Sequence, residues 1–260
     1  MTDDAPVMIE TRQLGREFAG KWAVQKLDLT IRRGEIYGFL GQNGAGKTTT
    51  LRMLTGLLRP SAGSMGIAGL DPVADSRRCK QLLGFVPDTP PLYDYLTGRQ
   101  YTALVASLWH VERAARDARS EILFDLLGLR EVADDLCKSY SHGMRKKIHL
   151  AAVLTTGPQV LLLDEPTTGL DPLSTRRLKD LLLEEARRGT TVMLSTHVLD
   201  LAEQICDRVG ILASGTLRAE GSVAELRKQH GERSLEDVFL STTGTPLDTP
   251  HEVHDGPPAR

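Results

Sequence analysis

Three features are scarce in this chain, and each absence narrows what it does. There are only three cysteines, Cys79, Cys137 and Cys206. They lie far apart and form no metal-ligand spacing, so neither a disulfide scaffold nor a thiolate site is expected, and reduced thiols are the default. A surplus of charge of one sign is also missing, since 32 basic side chains face 34 acidic ones for a net −2. No global field therefore favours nucleic acid or an anionic membrane surface. No apolar run approaches the ~20 residues that would cross a bilayer. The start carries Asp3, Asp4 and Glu10 where a secretory leader would need positive charge and then an apolar stretch, so no leader is expected. What remains, 40% apolar and 25% charged over 260 residues, is ordinary for a globular α/β protein able to bury a full core.

The most telling stretch present is Gly41-Gln42-Asn43-Gly44-Ala45-Gly46-Lys47-Thr48, followed by Thr49. It leaves a strand-like run, Glu35 to Leu40, and opens a helix-like run, Lys47 to Leu58. The glycines let the backbone turn tightly and aim N–H groups at phosphate oxygens, and the helix adds its positive dipole end. Lys47 is placed to reach the β- and γ-phosphates and the Thr48 hydroxyl to ligate Mg²⁺. This is a P-loop.

Around it, Met8 to Leu14 and Val24 to Ile31 read as strands, as do Ser64 to Ala68 and Leu82 to Val86. From Thr97 to about Leu154 the apolar period turns helical, with Leu104, Leu108, Ile122, Leu123, Leu126 and Leu127 set among charges. Strands and helices then alternate: Val160–Leu163, Leu173–Arg187, Thr191–Leu194, Val198–Ile205 and Val209–Leu212. The pattern predicts an α/β core with a parallel-containing sheet and a helical insertion over about 88–157. Residues 241–260 hold four prolines and no apolar period, which predicts a disordered tail.

A second constellation follows the P-loop. Val160 to Leu163 runs apolar into Asp164 and Glu165, as a buried parallel strand does when its carboxyl end carries functional groups. Asp164 suits Mg²⁺, a hard ion that takes oxygen ligands. Glu165 is placed to polarise an attacking water. Taken alone, the two acids also fit a surface turn. Thr167 to Pro172 makes a turn with proline at a helix start, and Leu194-Ser195-Thr196-His197 sets a histidine past a strand end. Ser141-His142-Gly143 precedes an amphipathic helix, Arg145 to Leu154, where its small residues suit a second phosphate contact or serve only as an N-cap.

In order and spacing these motifs resemble the nucleotide-binding subunit of an ABC transporter, from about residue 7 to 240. The resemblance implies a P-loop ABC ATPase core with a mixed sheet, a helical signature-motif subdomain and an N-terminal antiparallel β subdomain. It makes residues 1–240 a single ABC domain. Gly41 to Thr48 corresponds to the Walker A motif and Val160 to Asp164 to Walker B. Glu165 stands as the catalytic glutamate, Gly169-Leu170-Asp171 as the D-loop and His197 as the switch histidine. Phe18 looks like the aromatic that stacks on adenine, with Trp22 the other candidate. The implied ligands are ATP and Mg²⁺. The implied assembly is a homodimer, or a paired cassette, closed head to tail on ATP. Ser141 and Gly143 of one subunit then cover the γ-phosphate held by the other, and a separate polytopic permease is driven from the inner face of the cell membrane.

Two positions depart from the family. Tyr140-Ser141-His142-Gly143-Met144 stands where Leu-Ser-Gly-Gly-Gln is usual, and Asp88 replaces the Q-loop glutamine. An Asp88 oxygen can meet Mg²⁺ or its waters but cannot donate as an amide does. The signature, the run Leu92 to Gly98 and Ser234 to Leu240 look like the bacterial export branch that includes drug-resistance systems. Pro90-Pro91-Leu92-Tyr93 and Tyr95 are expected to stay exposed in part and meet the permease. A soluble ABC ATPase linked to nucleic acid or the ribosome is the alternative. One cassette, no sustained heptad and a near-neutral charge argue against it, and no nucleic-acid partner is expected. Intact Glu165 and His197 argue against a subunit that binds ATP without hydrolysing it.

Overall fold

A computed structural model of the chain describes residues 5–231 and 234–244. The chain opens with β1 (Val7–Phe18) and β2 (Lys21–Arg32), paired antiparallel around Ala19 and Gly20. Both turn residues have positive φ, which matches the twist of the flanking strands. Next, β3 (Ile36–Leu40) enters α1 (Lys47–Leu54), and β4 (Ala62–Ile67) returns to the free edge of β1. The result is a three-stranded antiparallel sheet in the order β2-β1-β4.

The short helix α2 (Ser76–Leu82) leads directly into β5 (Leu83–Val86). Three helices follow without a strand: α3 (Gly98–Leu108), α4 (Arg113–Leu127) and α5 (His142–Thr155). Their starts are explicit in the sequence. Thr97 and Gln100 form a capping box, Glu112 caps α4 and Ser141 caps α5. Alternation then resumes with β6 (Val160–Asp164), α6 (Pro172–Arg187), β7 (Thr191–Thr196) and α7 (Leu199–Ile205). The last described elements are β8 (Arg208–Ala213), β9 (Thr216–Gly221), α8 (Val223–Gln229) and α9 (Leu235–Thr243).

The second sheet runs β5-β6-β7-β3-β8-β9, parallel except for the antiparallel edge strand β9. Strands buried on both faces read as continuous apolar runs, and β6 shows why. Successive side chains point to opposite faces. Val160 and Leu162 join the core shared with α1 and the antiparallel sheet, while Leu161 and Leu163 join the core under α4, α5 and α6. Met193 parts from Val192 and Leu194 on β7 in the same way. Each such side chain contributes roughly 1.5–3 kcal/mol by its burial. A third cluster seats α7, α8 and α9 on β8 through Val209, Ile211, Leu226, Val238 and Phe239.

Several expected boundaries move. The helix after the P-loop stops at Leu54, because Gly56 turns at φ 71°. The strands β1, β6, β7 and β8 run longer than read. The elements α2, β9, α8 and α9 were not read from the sequence. The expected tail from residue 241 is corrected at its start, since residues 241–243 complete α9 and Gly244 caps it in the left-handed conformation. The remainder of that tail lies outside the described residues. The three cysteines are free, with Cys79 and Cys137 buried and Cys206 half-buried, and burial pushes all three thiols up.

Candidate functional site

The carboxyl ends of β3, β6 and β7 lie side by side, and the loop after β3 meets the acids at the end of β6 there. β3 and β6 are not neighbours, because β7 separates them. The register sets Leu40 beside Thr196 and Asp164 beside Ser195, so residues following each strand emerge at one level. A cleft of about 240 Å³ opens at this edge, lined by Ala23, Gln42, Asn43, Gly44, Gly46, Lys47, Thr48, Thr49, Asp88, Asp164 and Glu165. Ala45 borders an adjoining hollow with Leu212 and Ser214.

The loop shape leaves no room for other residues at its tightest points. Gly46 has φ 111°, and a Cβ there would lie 2.4 Å from the Ala23 carbonyl. A Cβ on Gly41 would come within 2.6 Å of the Leu212 carbonyl. Lys47 is 5% exposed and donates to the carbonyls of Gly41 at 2.5 Å and Gln42 at 3.2 Å. Its Nζ also stands 3.3 Å from Glu165 Oε1. The Thr48 hydroxyl donates to Asp164 Oδ1 at 3.2 Å, and the Ser195 hydroxyl donates to the same oxygen at 2.5 Å.

Glu165 adopts φ 46°, the left-handed region that a bulky residue enters only when its surroundings hold it there. Its N–H donates to the Ser195 carbonyl at 3.0 Å and its own carbonyl accepts from Lys146 at 2.8 Å. Both carboxylate oxygens are enclosed, yet neither accepts a well-aligned hydrogen bond. Lys47 Nζ at 3.3 Å and His197 Nδ1 at 2.9 Å are their charged or polar neighbours. A buried oxygen pair without a full hydrogen-bond complement is suited to take one from water.

The donor set fits Mg²⁺. Thr48 and Asp164 offer hard oxygens, 3.2 Å apart, within reach of the cleft. Among the described residues no three His, Cys, Asp or Glu side chains form a metal cage. An ion here would complete its shell with phosphate and water, as Mg²⁺ does.

Other expected site residues are engaged differently. Asp88 lines the cleft, but its Oδ1 accepts from Lys146 Nζ at 2.7 Å. Ser141 Oγ accepts from the Met144 N–H at 3.3 Å, which is an N-cap. Gly143 packs on the chain's own D-loop, where a Cβ would lie 2.8 Å from the Gly169 carbonyl. The His142 ring is laid over Gly169. The Asp171 carboxylate caps α6, accepting from the Ser174 N–H at 2.8 Å and hydroxyl at 2.6 Å, and these bonds hold its carboxyl below the usual range. Ser141, Gly143 and Asp171 therefore stand outside the cleft of their own subunit. Phe18 is exposed at the hairpin tip with the Arg16 guanidinium 4.6 Å above its ring, and Trp22 is comparably exposed.

The sequence reading missed Ala23, Gln42, Ser195 and Lys146. Gln42 and Ser195 sit inside motifs already recognised, whereas nothing distinguishes Lys146 from a solvated charge on an amphipathic helix.

A separate apolar cleft of about 250 Å³ lies between the core and the helical insertion, lined by Leu57, Leu83, Phe85, Val105, Trp109 and Val153 among others. Tyr93 and Tyr95 are exposed as expected, but Leu92 packs inward on the helical core. Among the described residues no helix is long and apolar enough to cross a membrane.

Comparison with known proteins agrees with this geometry. The family profile described as ABC transporter matches residues 24–168. The daunorubicin/doxorubicin resistance ATP-binding protein DrrA of Streptomyces peucetius is 38% identical over 227 residues, covering 87% of this chain and 69% of that protein. The bacitracin transport ATP-binding protein BcrA of Bacillus licheniformis is 34% identical over 224 residues, covering 86% and 72%. A solved ATP-binding subunit of an ABC transporter superposes with a TM-score of 0.86 at 28% identity, covering 90% of this chain and 99% of that one.

Proposed function

The chain belongs to the ABC transporter family as an ATP-binding subunit with export-type relatives, and on that premise we propose that it hydrolyses Mg-ATP in a two-subunit assembly to drive a separate membrane permease. The observation that carries the reading is the convergence of Lys47, Thr48, Asp164 and Glu165 on one cleft at the ends of three parallel strands. Residues 1–240 act as one ABC domain, with α3, α4 and α5 as its helical insertion.

The P-loop binds and orients the triphosphate, and Lys47 neutralises its β- and γ-oxygens. Thr48 and Asp164 would hold Mg²⁺, which would supply further neutralisation of the phosphate charge. The γ-phosphate competes with Glu165 for the Lys47 ammonium and so leaves the carboxylate facing water. Glu165 then accepts a proton as the water oxygen attacks the γ-phosphorus and the bond to ADP breaks. His197, 2.9 Å from Glu165, orients that carboxylate. Phe18 or Trp22, both exposed on the hairpin that carries Ala23 to the cleft, offers a ring to adenine.

Ser141 and Gly143 do not line the cleft of their own subunit, which supports a second subunit as the source of the signature contact. Hydrolysis would then open the pair and move a permease helix seated in the apolar cleft beside Phe85. On this reading the chain works at the inner face of the cell membrane through its partner. The test is Glu165→Gln. Phosphate release should fall by about 10²- to 10⁴-fold, the usual worth of a general base, while ATP still binds. The same variant should double in mass by light scattering when given Mg-ATP. Wild-type turnover in the variant removes Glu165 from its role, and a monomer at saturating ATP removes the shared site.

A further inference from the structure

Lys146 is a buried cation that the ATPase reading above does not use. Its side chain is 3% exposed, and its Nζ donates both to Asp88 Oδ1 at 2.7 Å and to the Glu165 carbonyl at 2.8 Å. An ammonium is kept in such a place only when it is paired and hydrogen-bonded. Three segments therefore meet on one atom: the helix that begins at the signature loop, the segment after β5, and the residue after β6.

The residue held is itself in a strained conformation. Glu165 at φ 46° is fixed on one side by the Ser195 carbonyl and on the other by Lys146. Removing the second contact frees the peptide that aims the carboxylate toward Lys47 and His197. Asp88 is 47% exposed at its side chain and lies at the rim, with one oxygen already committed to the ammonium. An aspartate is short and anionic where the family has a neutral amide, and opposite it stands a lysine.

We propose that Lys146 is a positioning residue for Glu165, and that Asp88 acts as its counter-ion rather than as a magnesium ligand. The proposal rests on the ATPase reading. It makes the signature helix report its position to the hydrolytic carboxylate through one ammonium. A small shift of α5 relative to β6 would then misplace Glu165 without disturbing the P-loop.

The test uses the full chain and two readouts, steady-state phosphate release and binding of a fluorescent ATP analogue at varied Mg²⁺. Lys146→Met should lower kcat by about ten- to a hundredfold, the scale of a misaimed catalytic group. Its KM and its affinity for the analogue should stay within about twofold, because ground-state binding is untouched. Lys146→Arg should recover part of kcat, since a guanidinium can donate to both acceptors. Asp88→Asn should lower kcat less and leave the half-saturating Mg²⁺ for analogue binding unchanged. The Asp88→Asn/Lys146→Met double variant should be no slower than Lys146→Met, as expected of groups acting as a unit.

Unchanged kcat in Lys146→Met overturns the proposal, and so does a loss of analogue affinity that parallels kcat. A raised Mg²⁺ requirement in Asp88→Asn overturns the counter-ion role. If Lys146→Met fails to fold, Lys146→Arg and Asp88→Asn decide by the same criteria. Absence of turnover in the unsubstituted protein overturns the ATPase reading as well. Turnover there with normal kcat in the variants overturns the positioning role alone.

Discussion

At the scale of single residues the site is a matter of which atoms can approach each other. Gly46 shows this most sharply. Its φ of 111° is outside what side chains with a Cβ readily adopt, and the nearest obstruction would be backbone, the Ala23 carbonyl at 2.4 Å. Backbone cannot swing aside as a side-chain tip does. Gly46→Ala should therefore cost about 1–3 kcal/mol of local strain. It should also weaken ATP affinity by at least about tenfold, a factor that corresponds to 1.4 kcal/mol. Titration with a fluorescent nucleotide checks it, and wild-type affinity in Gly46→Ala would show that the loop relaxes freely. Asp171 teaches the opposite lesson. Its motif position suggests a ligand contact, yet within the subunit its carboxylate closes the first turn of α6.

At the scale of elements, α5 does the most joining. Ser141 caps it, Lys146 ties it to Glu165, and His149 ties it to β5. His149 Nε2 donates to the Phe85 carbonyl at 3.2 Å, leaving Nδ1 to accept from the Tyr101 hydroxyl at 2.7 Å. Burial pushes its pKa down from 6.5 to about 4. The unfolded chain thus takes up a proton between pH 6.5 and 4 that the folded chain refuses, so stability is lost as pH falls through that window. The full loss from this group is on the order of 3 kcal/mol. His149→Gln, which cannot gain that charge, should show a shallower fall in unfolding free energy between pH 7 and 5 than wild type. Equal slopes in denaturant titrations would mean that His149 is solvated enough to protonate in place.

At the scale of the whole molecule, two facts about placement matter. Ser141 and Gly143 do not line the cleft formed by Lys47, Thr48, Asp164 and Glu165, and the apolar cleft by Phe85 lies one short segment from Asp88. Leu57 and Leu108, near that cleft, are 65% and 64% exposed. An exposed apolar surface of this kind marks a contact site. Leu57→Glu should leave isolated ATPase activity close to wild type, because surface changes rarely exceed about 0.5 kcal/mol. It should abolish co-purification with the proposed permease partner. Retention of the permease at unchanged yield would move the docking surface elsewhere.

The sequence by itself determined the chemistry. A P-loop needs glycine, lysine and threonine at fixed local spacing, and a buried parallel strand ending in acids is legible because both its faces must be apolar. Those requirements act over a few residues, so residues 41–48 and 160–165 could be read directly. The strand runs near residues 8–14 and 24–31 and the helical stretch over 97–154 were legible from period and punctuation. The antiparallel pairing came only with the family resemblance, and the division into three helices only with the fold. The short elements were not. α2, α8 and β9 have six or seven residues each, too few for a period to stand out, and they form because α8 and β9 find tertiary partners on β8 and α9. Only the folded chain decided that β7 lies between β3 and β6, that Ser195 holds Asp164, and that Asp88 faces Lys146 across 58 residues of sequence. No local preference encodes these pairings, because a buried charge selects its partner by distance in space once the core has packed.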